Sequence, residues 1–575
     1  MKTRLSGITL TASLASVLLV LSACSSDDDN DNSTGDNEEP STLYMNANIL
    51  TLDEQDTIAD AVIVTGDTIT AVGTEQDLRT DLDADASVID LEGKTMIPGI
   101  YDAHSHFVYA GIIELFNVNL NSPPIGDVES IGQLVAKLTA AAENIEEGNW
   151  IQGFGYDDTL LAELRHPTRE DLDRVSTTHP ILITHTSGHL AVANSLALEM
   201  AGITSETPQP EGGVIRFDEN GEPNGVLEEP SAMTQVSGLI PANTAAELTQ
   251  AIRSAAATYS SQGVTTANDG AAPAAFAGLI DLVASSSEGL PIRVNIWPTL
   301  DAVDAVEAME FTSDRITIGG VKDFADGSIQ GYTGYLSQPY YVTPEDQPDD
   351  YVGFPRYERE ALAARIKEIH DAGRQAIIHG NGDAAIDDIL YGIRQAQETN
   401  PREDTRHVVI HSQMAREDQL DDMQALGVIP SYFVLHTYYW GDRHRDIFMG
   451  PERAFRMSPT QSSLARAMPY TIHTDTPVVP MEPMRLIWSA VNRTSTSDSV
   501  IGAEQAITPL EALKATTIHA AYSNFEEDKK GSIEVGKLAD LVVLSEDPLT
   551  VDPATIKDIV VEQTILGGET VYELE

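Results

Sequence analysis

Cysteine occurs once in the 575 residues, at position 24. A disulfide within the chain is therefore excluded, and so is a thiolate-built zinc site in its body. Basic residues are also scarce: 34 Lys and Arg stand against 90 Asp and Glu, a formal charge of -56. So acidic a surface repels nucleic acid and anionic membranes, which argues against a DNA-binding role. It suits a solvated exterior whose self-repulsion a salty medium screens. Beyond the N-terminal stretch no apolar run is long enough for a membrane span. Within those limits the composition, 42% hydrophobic and 22% charged, is that of an ordinary globular protein. The length allows about two to four domains, or one large barrel with additions.

The cysteine sits in an informative place. Lys2 and Arg4 give a positive start, and residues 8–21 are apolar with small side chains but short for a membrane span. Leu21-Ser22-Ala23-Cys24 follows. This run resembles the lipobox of bacterial lipoproteins, which implies cleavage after residue 23 and lipidation at Cys24. Ser25 occupies the next position. By the same resemblance the expected location is exported and lipid-anchored, in the outer membrane of a Gram-negative bacterium, facing periplasm or surface. Residues 25–41 are rich in Asp, Asn, Ser and Glu and read as a disordered acidic tether.

Short β-rich runs at 42–52, 61–65, 68–73 and 87–91 have turn residues between them, and similar runs recur at 540–545, 556–563 and 569–572. One discontinuous β-sandwich, residues 42–96 plus 518–575, is the expectation. From 97 to 517 strand-like and helix-like segments alternate, as in an α/β fold with parallel strands. Apolar runs at 180–184, 316–321, 375–378 and 408–410 are continuous, as in strands buried on both faces. Helical patterns occupy 358–372 and 384–397, and 230–261 reads as a helical wall or cap.

The chemistry sits where these runs end. The segment 97–106 closes in Asp102-Ala103-His104-Ser105-His106, and 316–321 runs into Lys322. The next runs end at His379 and His411, and 469–474 leads to Asp475. In parallel α/β barrels the C-terminal strand ends meet over one mouth. His104 and His106, two apart in an extended chain, face one way with Cα atoms roughly 6.5 Å apart. Imidazole and carboxylate donors suit zinc or another first-row divalent metal. Lys322 is an odd companion, because an ammonium cannot ligate a cation. Its neutral form, favoured near cations, can take up carbon dioxide and become a bridging carbamate. Singly, each residue is more ordinary: a structural histidine, a surface lysine, a turn aspartate. Jointly and in this order they point to one or two divalent ions.

At these residues the chain resembles the amidohydrolase superfamily, and in particular its amidohydrolase-3 branch, which includes N-substituted formamide deformylase-like proteins. The resemblance runs from about residue 42 to 572. It is carried by residues 98–106, 188–194, 211–213, 221–227, 322–328, 379–383 and 531–541. It implies a distorted TIM-like (β/α)8 barrel beside the composite β-sandwich. It further implies that His104, His106 and Asp475 hold one metal, and that Lys322, as N6-carboxylysine, bridges to a second held by His379 and His411. Asp475 would act as general base and then general acid, and His189 would contact substrate or oxyanion. Ile410-His411 stands where many relatives have Glu-His, and His473-Thr474-Asp475 where many have a Gly-Ser-Asp-like run. His473 is thereby a further candidate. Residues 431–444, with His436 and Trp440, read either as a packed loop or as pocket wall, and Tyr156, Asp157 and Trp488 are weaker pocket candidates.

The implied activity is hydrolysis of a non-peptide carbon–nitrogen bond in a small molecule. The alternatives are ester or lactone hydrolysis, deamination, and a non-catalytic lipoprotein scaffold. Homo-oligomerisation is compatible with all of them. A complete set of six ligand-type residues argues against the scaffold, and Lys322 against a one-metal deaminase.

Overall fold

A computed structural model describes residues 41–575, apart from 81, 84, 345 and 346. The leader, Cys24 and all but residue 41 of the tether lie outside the described residues. Among the described residues no helix is long and apolar enough to cross a membrane.

The two ends of the described chain meet in one eight-stranded sheet. Ser41–Leu50, Ile58–Thr65, Thr68–Gly73, Ser87–Asp90 and Thr95–Pro98 come from the early part; Leu541–Leu544, Val561–Leu566 and Glu569–Glu573 come from the late part. The two parts join antiparallel, Leu541 opposite Pro98 through Leu544 opposite Thr95. Successive residues serve opposite faces. Tyr44, Val62, Met96 and Val543 fill one apolar cluster, and Leu43, Ala61 and Ile63 fill another. All eight strands are connected by pairing, where the sequence reading expected two packed layers. The strand expected from residue 556 begins at Val561 instead. Pro553–Asp558 is a 3-10 turn, because the Asp552 side chain caps the Ala554 N–H.

The centre of the chain forms two parallel sheets with strands in sequence order. The first holds β1 (Ile100–Tyr101), β2 (Val264–Ala272), β3 (Arg293–Pro298) and β4 (Ile316–Ile318). The second holds β5 (Val321–Phe324), β6 (Ala376–Gly380), β7 (Val408–His411), β8 (Ile429–Tyr432) and β9 (Thr471–Ile472). Helix Arg359–Asp371 precedes β6 and helix Asp383–Thr399 follows it, giving the crossovers that parallel strands require. The run expected as one strand over 316–321 is broken at Gly319-Gly320. A Cβ on Gly319 would fall 2.4 Å from Trp297 Cδ1, and one on Gly320 2.8 Å from the Gln375 carbonyl oxygen. The glycines let the chain change partners there, β4 pairing with β3 and β5 with β6. Lys322 accordingly lies within a strand, not beyond its end.

A third sheet, absent from the sequence reading, has six strands. They are Val118–Asn119, Ile151–Tyr156, Ile181–His185, Leu190–Ala193, Val214–Phe217 and Pro223–Glu228. The first three run parallel and the rest antiparallel. The apolar run at 180–184 belongs to this sheet and not to the central ones. Residues 230–261 are helical in two pieces, Glu229–Ser237 and Ala245–Ser261. The second buries Ala251, Ala255 and Tyr259 at helical spacing. It crosses helix Phe107–Phe116 at Gly111, where a Cβ would meet the Ala251 carbonyl oxygen at 2.0 Å.

Candidate metal centre

The first-strand histidines leave the sheet before they act. β1 ends at Tyr101, so His104 and His106 sit in the loop to helix Phe107–Phe116 and not in extended chain as expected. Asn268 on β2 holds that loop by donating to the carbonyls of Asp102 and Ala103 at 3.0 and 2.8 Å. The loop after β9 is stitched to it: the Asp475 N–H donates to the His104 carbonyl at 3.1 Å, and His106 N–H to that of Thr476 at 2.8 Å. His104 stacks on Trp297 of β3, centroids 5.6 Å apart and planes within 8°. These contacts hold Asp475 at φ 57°; His411, at the end of β7, is likewise left-handed at φ 69°, and such conformations cost a non-glycine residue energy.

The six residues predicted as ligands form one contiguous cluster, buried except for the partly exposed His106. His104 Nε2 lies 3.2 Å from Lys322 Nζ and 3.3 Å from Asp475 Oδ1. His106 donates from Nδ1 to the Gly270 carbonyl at 2.8 Å, which leaves the Nε2 lone pair 3.7 Å from Asp475 Oδ1. His379 Nε2 faces the Gly327 carbonyl at 3.1 Å, so Nδ1 is the open nitrogen, and it lies 3.1 Å from His411 Nε2. His411 Nε2 is 4.0 Å from Asp475 Oδ2.

The donor set fits a divalent cation. Burial drives the His104, His379 and His411 pKa values well below the usual imidazole value and that of His106 to about 4. They are therefore neutral, the form that ligates. Burial likewise lowers Lys322 and raises Asp475. Asp475 Oδ1 is buried and accepts no hydrogen bond. His104, His411 and Asp475 each offer an atom within 4.8 Å of the others. The nitrogen–oxygen spacings approach the ligand–ligand edge of about 3.3–3.5 Å for bonds near 2.0–2.1 Å.

His189 stands beside this cluster, its ring 5.0 Å from that of His379. Its Nδ1 faces both carboxylate oxygens of Glu229, at 2.9 and 3.1 Å. Burial pushes the His189 pKa down, but the Glu229 carboxylate outweighs it and the result is a raised value. His473 lies behind His411, with Nε2 3.2 Å from His411 Nδ1 and Nδ1 2.9 Å from Ser431 Oγ. His436 is buried with its ring 6.4 Å from that of His411 and 4.4 Å from Phe433.

The remaining candidates gather elsewhere. Trp440 Nε1 and Arg443 Nη1 both donate to Asp157 Oδ2, at 3.0 and 2.7 Å. Tyr156 meets His166 Nδ1 at 3.2 Å and packs edge-on to His185. Asp157, Asp158 and His185 make a second set with metal-ligand spacing, but its chemistry is different. The Ser187 N–H donates to His185 Nδ1, which puts the ring proton on Nε2, 3.3 Å from Asp158 Oδ1. Asp157 is already occupied by the guanidinium and the indole. Trp488 does not join either set: it donates to the Ala554 carbonyl at 3.0 Å and packs against Tyr438. Sequence reasoning missed Glu229, Asn268 and Trp297. Glu229 follows the 221–227 motif by two residues, but no local spacing ties it to His189, 40 residues earlier.

Comparison with known proteins agrees with this geometry. N-substituted formamide deformylase of Arthrobacter pascens is 28% identical over 545 residues, covering 92% of this chain and 98% of the relative. The Bacillus subtilis protein YtcJ is 27% identical, covering 91% and 98%. The crystal structure of a metal-dependent hydrolase from Pyrococcus horikoshii superposes with a TM-score of 0.70 at 25% identity, covering 89% of this chain and 99% of that one. The model of the Amidohydrolase family matches residues 87–572, so the chain belongs to the amidohydrolase family and is a metal-dependent enzyme hydrolysing carbon–nitrogen bonds.

Proposed function

We infer that the substrate is a small molecule carrying a non-peptide amide-type bond, such as an N-acyl, formamide or cyclic amide group. The observation that carries this reading is the single buried cluster of four neutral imidazoles, Lys322 and Asp475. The family of the chain and the 28% identity to a formamide deformylase support it. In this reading His104, His106 and Asp475 hold one ion and His379 and His411 a second. Lys322 would supply a further anionic ligand as N6-carboxylysine, its buried neutral amine bonding the carbon of carbon dioxide and releasing a proton. The ions, zinc by donor type, supply Lewis acidity toward the carbonyl and make water acidic. Asp475 receives the proton of the attacking water and returns it to the leaving nitrogen. His189 presents Nε2 to the carbonyl oxygen as charge develops there.

The two central sheets are, in the same reading, halves of one (β/α)8 barrel with β4 and β5 as a single interrupted strand. The seam from β9 to β1 is supported by the backbone bonds of His104 and His106 with residues 475 and 476. Residues 97–517 then form the catalytic barrel with insertions, and 42–96 with 518–575 the β-domain. Cys24 would anchor the enzyme by lipid to the outer membrane.

The test is metal content by elemental analysis of protein lacking residues 1–24, purified with bicarbonate, beside Lys322→Ala. About two ions per chain, falling in the variant, is the result expected of a bridged pair. One ion in both proteins would remove Lys322 from the mechanism and favour deaminase-like chemistry. A metal-free protein would end the reading.

A further inference from the structure

Glu229 is a tightly held acid beside the site, and no step above uses it. It is 1% exposed, at the junction of strand Pro223–Glu228 and helix Glu229–Ser237. Burying a carboxylate is costly unless it is paired. Here both oxygens converge on a single atom, His189 Nδ1. The pairing is doubled in the backbone, where the Glu229 N–H donates to the His189 carbonyl at 2.7 Å. Neighbouring strands bring the two residues together, Leu190 standing opposite Glu228.

Two further features belong to this arrangement. Glu229 is held at φ 62°, where a glutamate is strained. Gly327 leaves room for its head group: a Cβ there would lie 2.0 Å from Glu229 Oε1 and 2.1 Å from Thr333 Oγ1. Gly327 also gives its carbonyl to His379 Nε2. One short segment thus seats both a ligand histidine and the carboxylate behind His189.

We propose that Glu229 is a positioning residue for catalysis: its carboxylate holds the Nδ1–H of His189, fixes the orientation of the ring and aims Nε2–H at the reacting carbonyl. The consequence is physical. A carboxylate on Nδ1 can only accept, so that nitrogen keeps its proton, and the carboxylate's negative charge favours a second proton on Nε2, the donor that a carbonyl oxygen requires. Without Glu229 the ring is free to rotate and to exchange tautomers, and its contribution to the transition state falls. This rests on the role given to His189 above.

The test uses the metal-loaded enzyme with 4-nitroformanilide as probe, in wild type, Glu229→Gln, Glu229→Ala, His189→Ala and the double variant His189→Ala/Glu229→Ala. Glu229→Ala should lower kcat about 100-fold, the scale of a lost oxyanion donor, with KM little changed. Glu229→Gln, which keeps an acceptor, should lie between it and wild type. The double variant should be no worse than His189→Ala alone, since the two act as one unit. Metal content should be the same in all five. In protein labelled with 15N-histidine, the His189 Nδ1–H resonance should persist in wild type and Glu229→Gln and vanish in Glu229→Ala. Should Glu229→Ala not fold, the Glu229→Gln kinetics and spectrum carry the test. Full activity in His189→Ala would overturn the role of His189 itself. A crippled His189→Ala beside unimpaired Glu229 variants would overturn the positioning role alone, as would additive losses in the double variant.

Discussion

His473 stands directly behind His411, and replacing it has a calculable effect. His411 ligates through Nε2 only if its proton is on Nδ1, and His473 Nε2 at 3.2 Å is the acceptor for that proton. His473 in turn donates from Nδ1 to Ser431 Oγ at 2.9 Å, and Ser431 also receives the Thr471 hydroxyl at 2.7 Å. His473→Leu therefore leaves Ser431 with a partner and strands the His411 Nδ1–H. The ring and its neighbours are fully buried, so water does not replace the lost acceptor. Losing a ligand's supporting hydrogen bond weakens metal binding about 10–100-fold, roughly 1.4–2.7 kcal/mol. The assay is retained metal across a titration with a competing chelator, read by elemental analysis on folded wild type, His473→Leu and His473→Gln. The leucine variant should surrender one ion at roughly 10–100-fold lower chelator activity, with the glutamine variant between. Coincident titrations for wild type and His473→Leu would refute the relay.

Other consequences are simpler to read. Arg293 on β3 and Asp540, just before the end-sheet strand Leu541–Leu544, form a buried bidentate pair at 2.8 and 3.1 Å, and Asp540 also accepts the Gly567 N–H. Asp540→Ala should destabilise by about 3–5 kcal/mol in denaturant unfolding, because it leaves a buried guanidinium unpaired; Arg293→Met/Asp540→Leu should recover much of that loss. Burial pushes Asp157 up, but Arg443, together with His185 and the Thr159 hydroxyl, outweighs it and holds the carboxylate below its ordinary pKa. A depressed acid contributes stability above the unfolded value near ~3.9 and loses it as pH falls through the folded one. The gap in melting temperature between wild type and Arg443→Met should thus be full near neutrality and close in acid; a gap independent of pH would contradict the pairing. Gly327→Ala drives a methyl into Glu229 Oε1 and Thr333 Oγ1. Its kcat should fall at least as far as that of Glu229→Gln, and a normal kcat would mean the segment gives way freely.

What the sequence disclosed follows from how each group reaches the site. His104, His106, Lys322, His379, His411 and Asp475 stand at or next to apolar runs, and in parallel sheets strand order and strand polarity bring such positions together. The proposed ligand set is thus encoded one strand at a time. Its supporting groups are encoded between strands. Glu229 reaches His189 across an antiparallel pair inside a sheet that short strands conceal, and Asn268 and Trp297 look like ordinary residues of buried strands until the Asp102–His106 loop folds onto them. The broken strand makes the same point. Gly319-Gly320 reads as a turn, yet its role is to admit Trp297 and let the chain change partners, and that change fixes where Lys322 falls relative to His104. Side chains that hold a metal are legible because the metal requires particular donor types; side chains that orient those donors need only one well-placed hydrogen bond or ring face. The site's chemistry is therefore readable from the chain, while its tuning, carried by Glu229 and His473, depends on pairings that only the folded arrangement creates.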